Sequence, residues 1–136
     1  MASKEAYERG LQLLRETNGE NGLKVLDVLA DVSPELGDQV VGWAFGEISA
    51  RPNLSRRDRQ LLNLGMLTAL GTEPQLELNI NSALNIGLTP EEIVEAFLHA
   101  LVYCGLPRAL NATLAAKKVF AERGLLPVVP GGTTTS

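Results

Sequence analysis

Apolar positions along this chain recur at intervals of three and four, not two. Tyr7, Leu11 and Leu14 make one such row, and the spacing predicts an amphipathic helix over residues 4–17. The turn formers Asn18-Gly19-Glu20-Asn21-Gly22 end it, and a shorter helix follows with Val25, Leu26 and Leu29 on one face. Ser33-Pro34-Glu35 reads as a helix start, because the hydroxyl caps and proline at the first helical position sacrifices no needed N–H. That helix is expected to run to about Ser49 and to stop before Pro52, which disfavours α geometry at Arg51. Ser55-Arg56-Arg57-Asp58 opens another, whose body from Leu61 to Leu70 is apolar nearly all round. Such a helix is buried on several sides, often partly by another subunit.

Gly71 ends that helix, Pro74 starts the next, and Gly87 closes it. Thr89-Pro90-Glu91-Glu92 matches a capping box with proline at the first helical position. Gly105-Leu106-Pro107 interrupts the apolar run before a last helix to about Arg123, which Gly124 closes. No segment carries a convincing strand pattern. The prediction is an all-α fold of six to seven helices in one domain over residues 1–126, with a flexible Pro/Gly/Thr-rich tail over 127–136.

Composition narrows the chemistry. One cysteine in 136 residues makes no intrachain disulfide, Cys-x-x-Cys redox pair or thiolate zinc site. One histidine excludes multi-histidine metal centres and leaves only a carboxylate site open, and the expectation is no metal and no cofactor. A net charge of −4 gives no electrostatic footprint for nucleic acid. The most apolar segment, Ile93 to Leu106, is broken by Glu95 and His99 and is too short to span a membrane. Charges stand where an export signal needs an apolar stretch, and Cys104 is unpaired, so a cytoplasmic location is expected.

Three sets of residues could carry chemistry. Glu95 and His99 are neighbours on one helix face, with Glu92 and Tyr103 on the same stripe. A carboxylate beside an imidazole orients it and favours its protonated form, which suits a general acid. The same stripe also reads as the solvated face of a surface or interface helix. Gln60, Asn63, Asn79, Asn81, Asn85 and Asn111 stand beside leucines in helical segments, where a retained amide has a buried partner or a ligand. An inter-helix hydrogen-bond network explains them equally well. Arg51, Arg56, Arg57, Arg59 and Arg108 form a cationic set able to hold a carboxylate bidentately, Arg51 above all. Cys104, Trp43 and Phe45 read as core or pocket wall.

Four segments, taken in order, resemble a known family. They are Phe45-Gly-Glu-Ile-Ser-Ala-Arg-Pro-Asn-Leu54, Arg59-Gln-Leu-Leu, Ala83 through Glu95, and Val102-Tyr-Cys-Gly-Leu-Pro-Arg-Ala-Leu-Asn111. Their succession is similar to the γ-carboxymuconolactone decarboxylase family over roughly residues 5–123. The resemblance implies an all-α fold of the alkyl hydroperoxidase D type, assembled as a homo-oligomer, a trimer or hexamer. It implies cofactor-free loss of CO₂ from a carboxylated lactone or aromatic-derived acid, with His99, Asn79 and Tyr103 as candidate catalytic groups. Arg51, Gln60, Trp43, Phe45 and Cys104 would then contact substrate.

Two departures bear on mechanism. Where the peroxidase branch carries glutamate, the Cys-x-x-Cys pair and histidine, this chain has Gln60, Thr72, Gln75 and Asn79. The decarboxylase branch also keeps that histidine, whereas Leu76-Glu-Leu-Asn79 offers an amide, which donates a hydrogen bond but delivers no proton near neutral pH. Three readings stay open. The chain decarboxylates with His99, Tyr103 or water as acid; it cyclises, rearranges or isomerises a polyketide-type lactone; or it binds a ligand without catalysis.

Overall fold

The computed structural model describes residues 2–129 of the chain, and among them every regular element is helical. These are α1 (Lys4–Leu29), α2 (Pro34–Asp38) continuing into a π-helical segment (Gln39–Ser49), α3 (Arg56–Leu70), α4 (Glu73–Asn85), α5 (Pro90–Cys104) and α6 (Leu106–Glu122). None is long and apolar enough to cross a membrane among the described residues. The chain divides into two compact units, Met1–Arg56 and Arg57–Ser136.

In the first unit, α1 packs along the π segment. Its sequence predicted two helices separated by a turn, and α1 is two helices joined end to end across a kink at Gly19, where φ is 65° and ψ −164°. Only a residue without a Cβ takes that conformation cheaply, so the turn signal survives as a bend. The buried row of α1 is Ala6, Gly10, Leu14 and Thr17, not the Tyr7–Leu11–Leu14 row that size alone suggests. Close approach explains the difference. A Cβ on Gly10 would collide with the Val41 carbonyl oxygen, and one on Gly46 with the Ala6 carbonyl oxygen. The two backbones therefore touch directly, and small residues are drawn into the crossing. The helix expected over 34–49 has the predicted extent, but its second part is wound with π geometry. Val41, Gly42 and Gly46 then fall on one buried face, the spacing that i→i+5 winding provides.

In the second unit, α4 contributes Leu76, Ile80 and Ala83 to a core that α5 completes with Ile93 and Phe97. Ala112, Ala115, Ala116, Val119 and Phe120 of α6 and Leu64 of α3 close it. The alanines of α6 let neighbouring helices approach, while Phe97 and Phe120, fully buried, each contribute about 1.5–3 kcal/mol. Buried Thr68 donates to the Leu64 carbonyl at 2.6 Å, so its hydroxyl is satisfied inside its own helix. The capping box forms as predicted: Glu92 N donates to Thr89 Oγ1 at 3.2 Å, and Thr89 N to Glu92 Oε1 at 3.0 Å. Gly105, with φ 83°, separates α5 from α6. Of the tail expected over 127–136, Val128 packs against this core, and residues 130–136 lie outside the described residues.

Candidate functional site

The first unit holds a cleft of about 370 Å³, open to solvent and enclosed by α1 and the residues that follow the π segment. Arg9, Gln12 and Glu16 line it from α1; Arg51 lines it from the turn after the π segment and Arg56 from the first position of α3; Leu13, Ala50 and Leu54 supply apolar wall. Three guanidiniums and one carboxylate give these walls a net charge of +2 on a chain whose overall charge is −4.

Each charge is held differently. Glu16 accepts from Gln12 Nε2 at 2.8 Å and from Arg56 Nη2 at 2.7 Å. The Gln12 hydrogen bond first, and then Arg56, hold the Glu16 carboxyl below the usual carboxylate range. It thus stays ionised and offers no proton near neutral pH. Arg9 donates from Nε to the Gly46 carbonyl at 2.8 Å, which ties the guanidinium to the small-residue crossing. Arg51 is exposed and faces the cleft. Trp43, 52% exposed, and half-buried Phe45 lie on the π segment and do not line the cleft.

The remaining sequence candidates belong to the second unit. Gln60, only 6% exposed, donates to Asn79 Oδ1 at 3.0 Å and to the Asn79 carbonyl at 3.1 Å. Asn79 in turn donates to the Gln75 carbonyl at 2.9 Å, so its amide is fixed on both sides. His99 and Tyr103 make an edge-to-face ring contact at 6.0 Å on the outer side of α5, where Tyr103 is 83% exposed. No hydrogen bond or ion pair joins His99 to Glu95, although the two are i, i+4. Cys104 is a free thiol of intermediate burial at the end of α5.

Several polar residues prove to be structural. Arg123 donates to Asn81 Oδ1 at 2.9 Å and Asn85 Oδ1 at 2.8 Å, so these two amides form an inter-helix network. Arg108 donates to the Leu70 carbonyl at 3.2 Å and caps α3. Arg57 pairs with Glu92, an attraction that lowers the Glu92 carboxyl and raises the Arg57 guanidinium from their ordinary values. Of the cationic set, Arg51 and Arg56 line the cleft. Arg9, Gln12 and Glu16 were missed by the sequence reading. Their i, i+3, i+7 spacing on one face of α1 was the available signal.

Residues 34–118 match the Carboxymuconolactone decarboxylase family. This chain belongs to that family. A 4-carboxymuconolactone decarboxylase of Acinetobacter baylyi is 33% identical over 128 residues, covering 93% of this chain and 96% of that protein. A nitrosuccinic acid decarboxylase of Metarhizium robertsii is 33% identical over 120 residues, covering 85% of this chain and 82% of that protein. The carboxymuconolactone decarboxylase match includes Arg51, Gln60, Asn79, His99, Tyr103 and Cys104, whereas Arg9, Gln12 and Glu16 precede it.

Proposed function

We propose that this chain is a cofactor-free decarboxylase of a small carboxylated acid or lactone. The observation that carries the reading is the 33% identity to two decarboxylases of different substrates, over 93% and 85% of this chain. The arginine-lined cleft supports it, since an anionic substrate needs a cationic, partly apolar recess.

Loss of CO₂ breaks a carbon–carbon bond and leaves its electron pair on the substrate. A neighbouring carbonyl accepts that pair as an enolate oxygen, so the substrate supplies its own electron sink. Arg51 serves best at that oxygen. A guanidinium that held only the departing carboxylate would lose its partner in the transition state and would slow the step. Placed where negative charge develops, it accelerates it. The carbon is then protonated. The open cleft admits water as the proton source, whereas Asn79, fixed by Gln60 and Gln75, delivers no proton. In this scheme residues 1–126 form the catalytic domain, and Leu13, Ala50 and Leu54 are the apolar wall of the cleft.

The purified chain, supplied separately with 4-carboxymuconolactone and nitrosuccinate, is expected to release CO₂ from at least one of them at an enzymic rate. Release from neither above the buffer rate removes the decarboxylase reading.

We also propose a homo-oligomer in the cytoplasm. Two apolar rows of the second unit favour self-association: Leu62, Met66 and Leu70 on α3, and Leu106, Leu110 and Leu114 on α6, all at least half exposed. The free thiol of Cys104 suits a reducing compartment. Light scattering on the eluting protein is expected to give a mass several times 14.6 kDa, and a monomer at micromolar concentration counts against this assembly.

A further inference from the structure

The junction of α1 and α2 carries as much net charge as the whole chain. Residues 25–38 hold Asp27, Asp31, Glu35 and Asp38 and no lysine or arginine, so their −4 equals the −4 of all 136 residues. All four carboxylates are exposed, and none makes an ion pair among the described residues. Interleaved with them are Val28, Val32 and Leu36, each at least half exposed. An exposed aliphatic side chain is ordinary singly, but three at intervals of four among unpaired carboxylates make a patch. None of these residues lines the cleft. The second unit carries a row of the opposite sign. Leu106, Leu110 and Leu114 of α6 are at least half exposed, and exposed Lys117 continues their stripe. Residues 106–118 contain Arg108, Lys117 and Lys118 and no aspartate or glutamate, a charge of +3. Lys117 makes no ion pair among the described residues, while Lys118 pairs with Glu77 at 2.9 Å.

From this complementarity we propose that the α1–α2 junction of one copy docks on the exposed face of α6 of a second copy. The proposal rests on the reading that the chain self-associates, and it names the surface that the α6 row meets. Charge decides which faces pair. Junction against junction sets four carboxylates against four, and α6 against α6 sets three cations against three, so like-charge repulsion opposes both. Junction against α6 pairs −4 with +3 and removes two apolar rows from water at once. The two halves of such a contact differ, so it runs head to tail. Each end copy then keeps one unused half until a ring closes. The α3 row of Leu62, Met66 and Leu70 takes no part in it.

Two variants of the full chain each spoil one half: Val32→Asp at the junction and Leu110→Asp on α6, both at exposed positions that the fold tolerates. By light scattering, each variant alone is expected to have a smaller mass than wild type. Mixed in equal amounts, the Val32→Asp chain still offers α6 and the Leu110→Asp chain still offers its junction. A larger species containing both chains is therefore expected, a recovery that contact between two identical faces does not give. The charge arm uses Lys117→Glu, expected to raise the dissociation constant about tenfold. Adding Asp31→Lys to the same chain is expected to bring it back within about threefold of wild type. Melting midpoints within about 2 °C of wild type show that the variants fold. A wild-type oligomer whose mass neither variant lowers, or a mixture that keeps the mass of its separate variants, overturns the proposal and leaves the self-association reading standing. A monomeric wild type removes both.

Discussion

Gly46→Ala is expected to melt roughly 10 °C below the wild type, a loss of about 3 kcal/mol for a chain of this size. The new methyl group would collide with the Ala6 carbonyl oxygen. A carbonyl in a helix cannot rotate aside as a side chain can, so α1 and the π segment must separate. Separation costs packing along Ala6, Gly10 and Val41, and it lengthens the Arg9–Gly46 hydrogen bond. Gly65→Ala is the control. A Cβ there meets nothing within 4 Å, and glycine in a helix interior is less favourable than alanine by about 0.5–1 kcal/mol. The same chemical change is thus expected to raise stability on α3 and to lower it at the crossing. Thermal melts of the two variants check both signs. A Gly46→Ala midpoint within about 2 °C of wild type would show that the crossing opens freely.

Arg51→Ala is expected to lower kcat/KM by about two to three orders of magnitude toward whichever carboxylated substrate is turned over. The size follows from the role. A guanidinium facing developing charge makes two charge-assisted hydrogen bonds, and its loss leaves the enolate oxygen with only water as donor. Arg51→Lys keeps the charge without the fork, so it should recover part of the rate. Steady-state kinetics beside a melting curve separate this from unfolding, because Arg51 is exposed and belongs to no buried row. Activity within threefold of wild type in Arg51→Ala would remove Arg51 from the reaction.

Much of the local architecture was legible without coordinates. The Thr89 capping box, the start at Ser33-Pro34, the break at Gly105 and the stop near Arg123 are all present as read. Such signals depend on residues within one turn of each other, so the chain states them directly. The family segments around Arg51 and Val102 were legible for a related reason, as contiguous words in a fixed order. The asparagines were not. Asn79, Asn81 and Asn85 look alike in the sequence, yet Asn79 is tied to Gln60 while Asn81 and Asn85 are tied to Arg123. Their partners stand 19 to 42 residues away, and no local pattern reports a contact at that distance.

By itself, then, the sequence determined the all-α class, most helix boundaries, the family, and an inventory with one thiol and one imidazole. The class, the boundaries and the inventory follow from periodicity, capping or composition, which act over a few residues, and the family from the resemblance of contiguous segments. Tertiary structure decided which face of α1 is buried, choosing Ala6 and Gly10 over Tyr7 and Leu11 because two backbones meet there. That choice points Arg9, Gln12 and Glu16 toward Arg51 and Arg56, and so assembles a cationic cleft from residues some forty positions apart. Charge complementarity of this kind depends on distance in space, and only packing sets that distance.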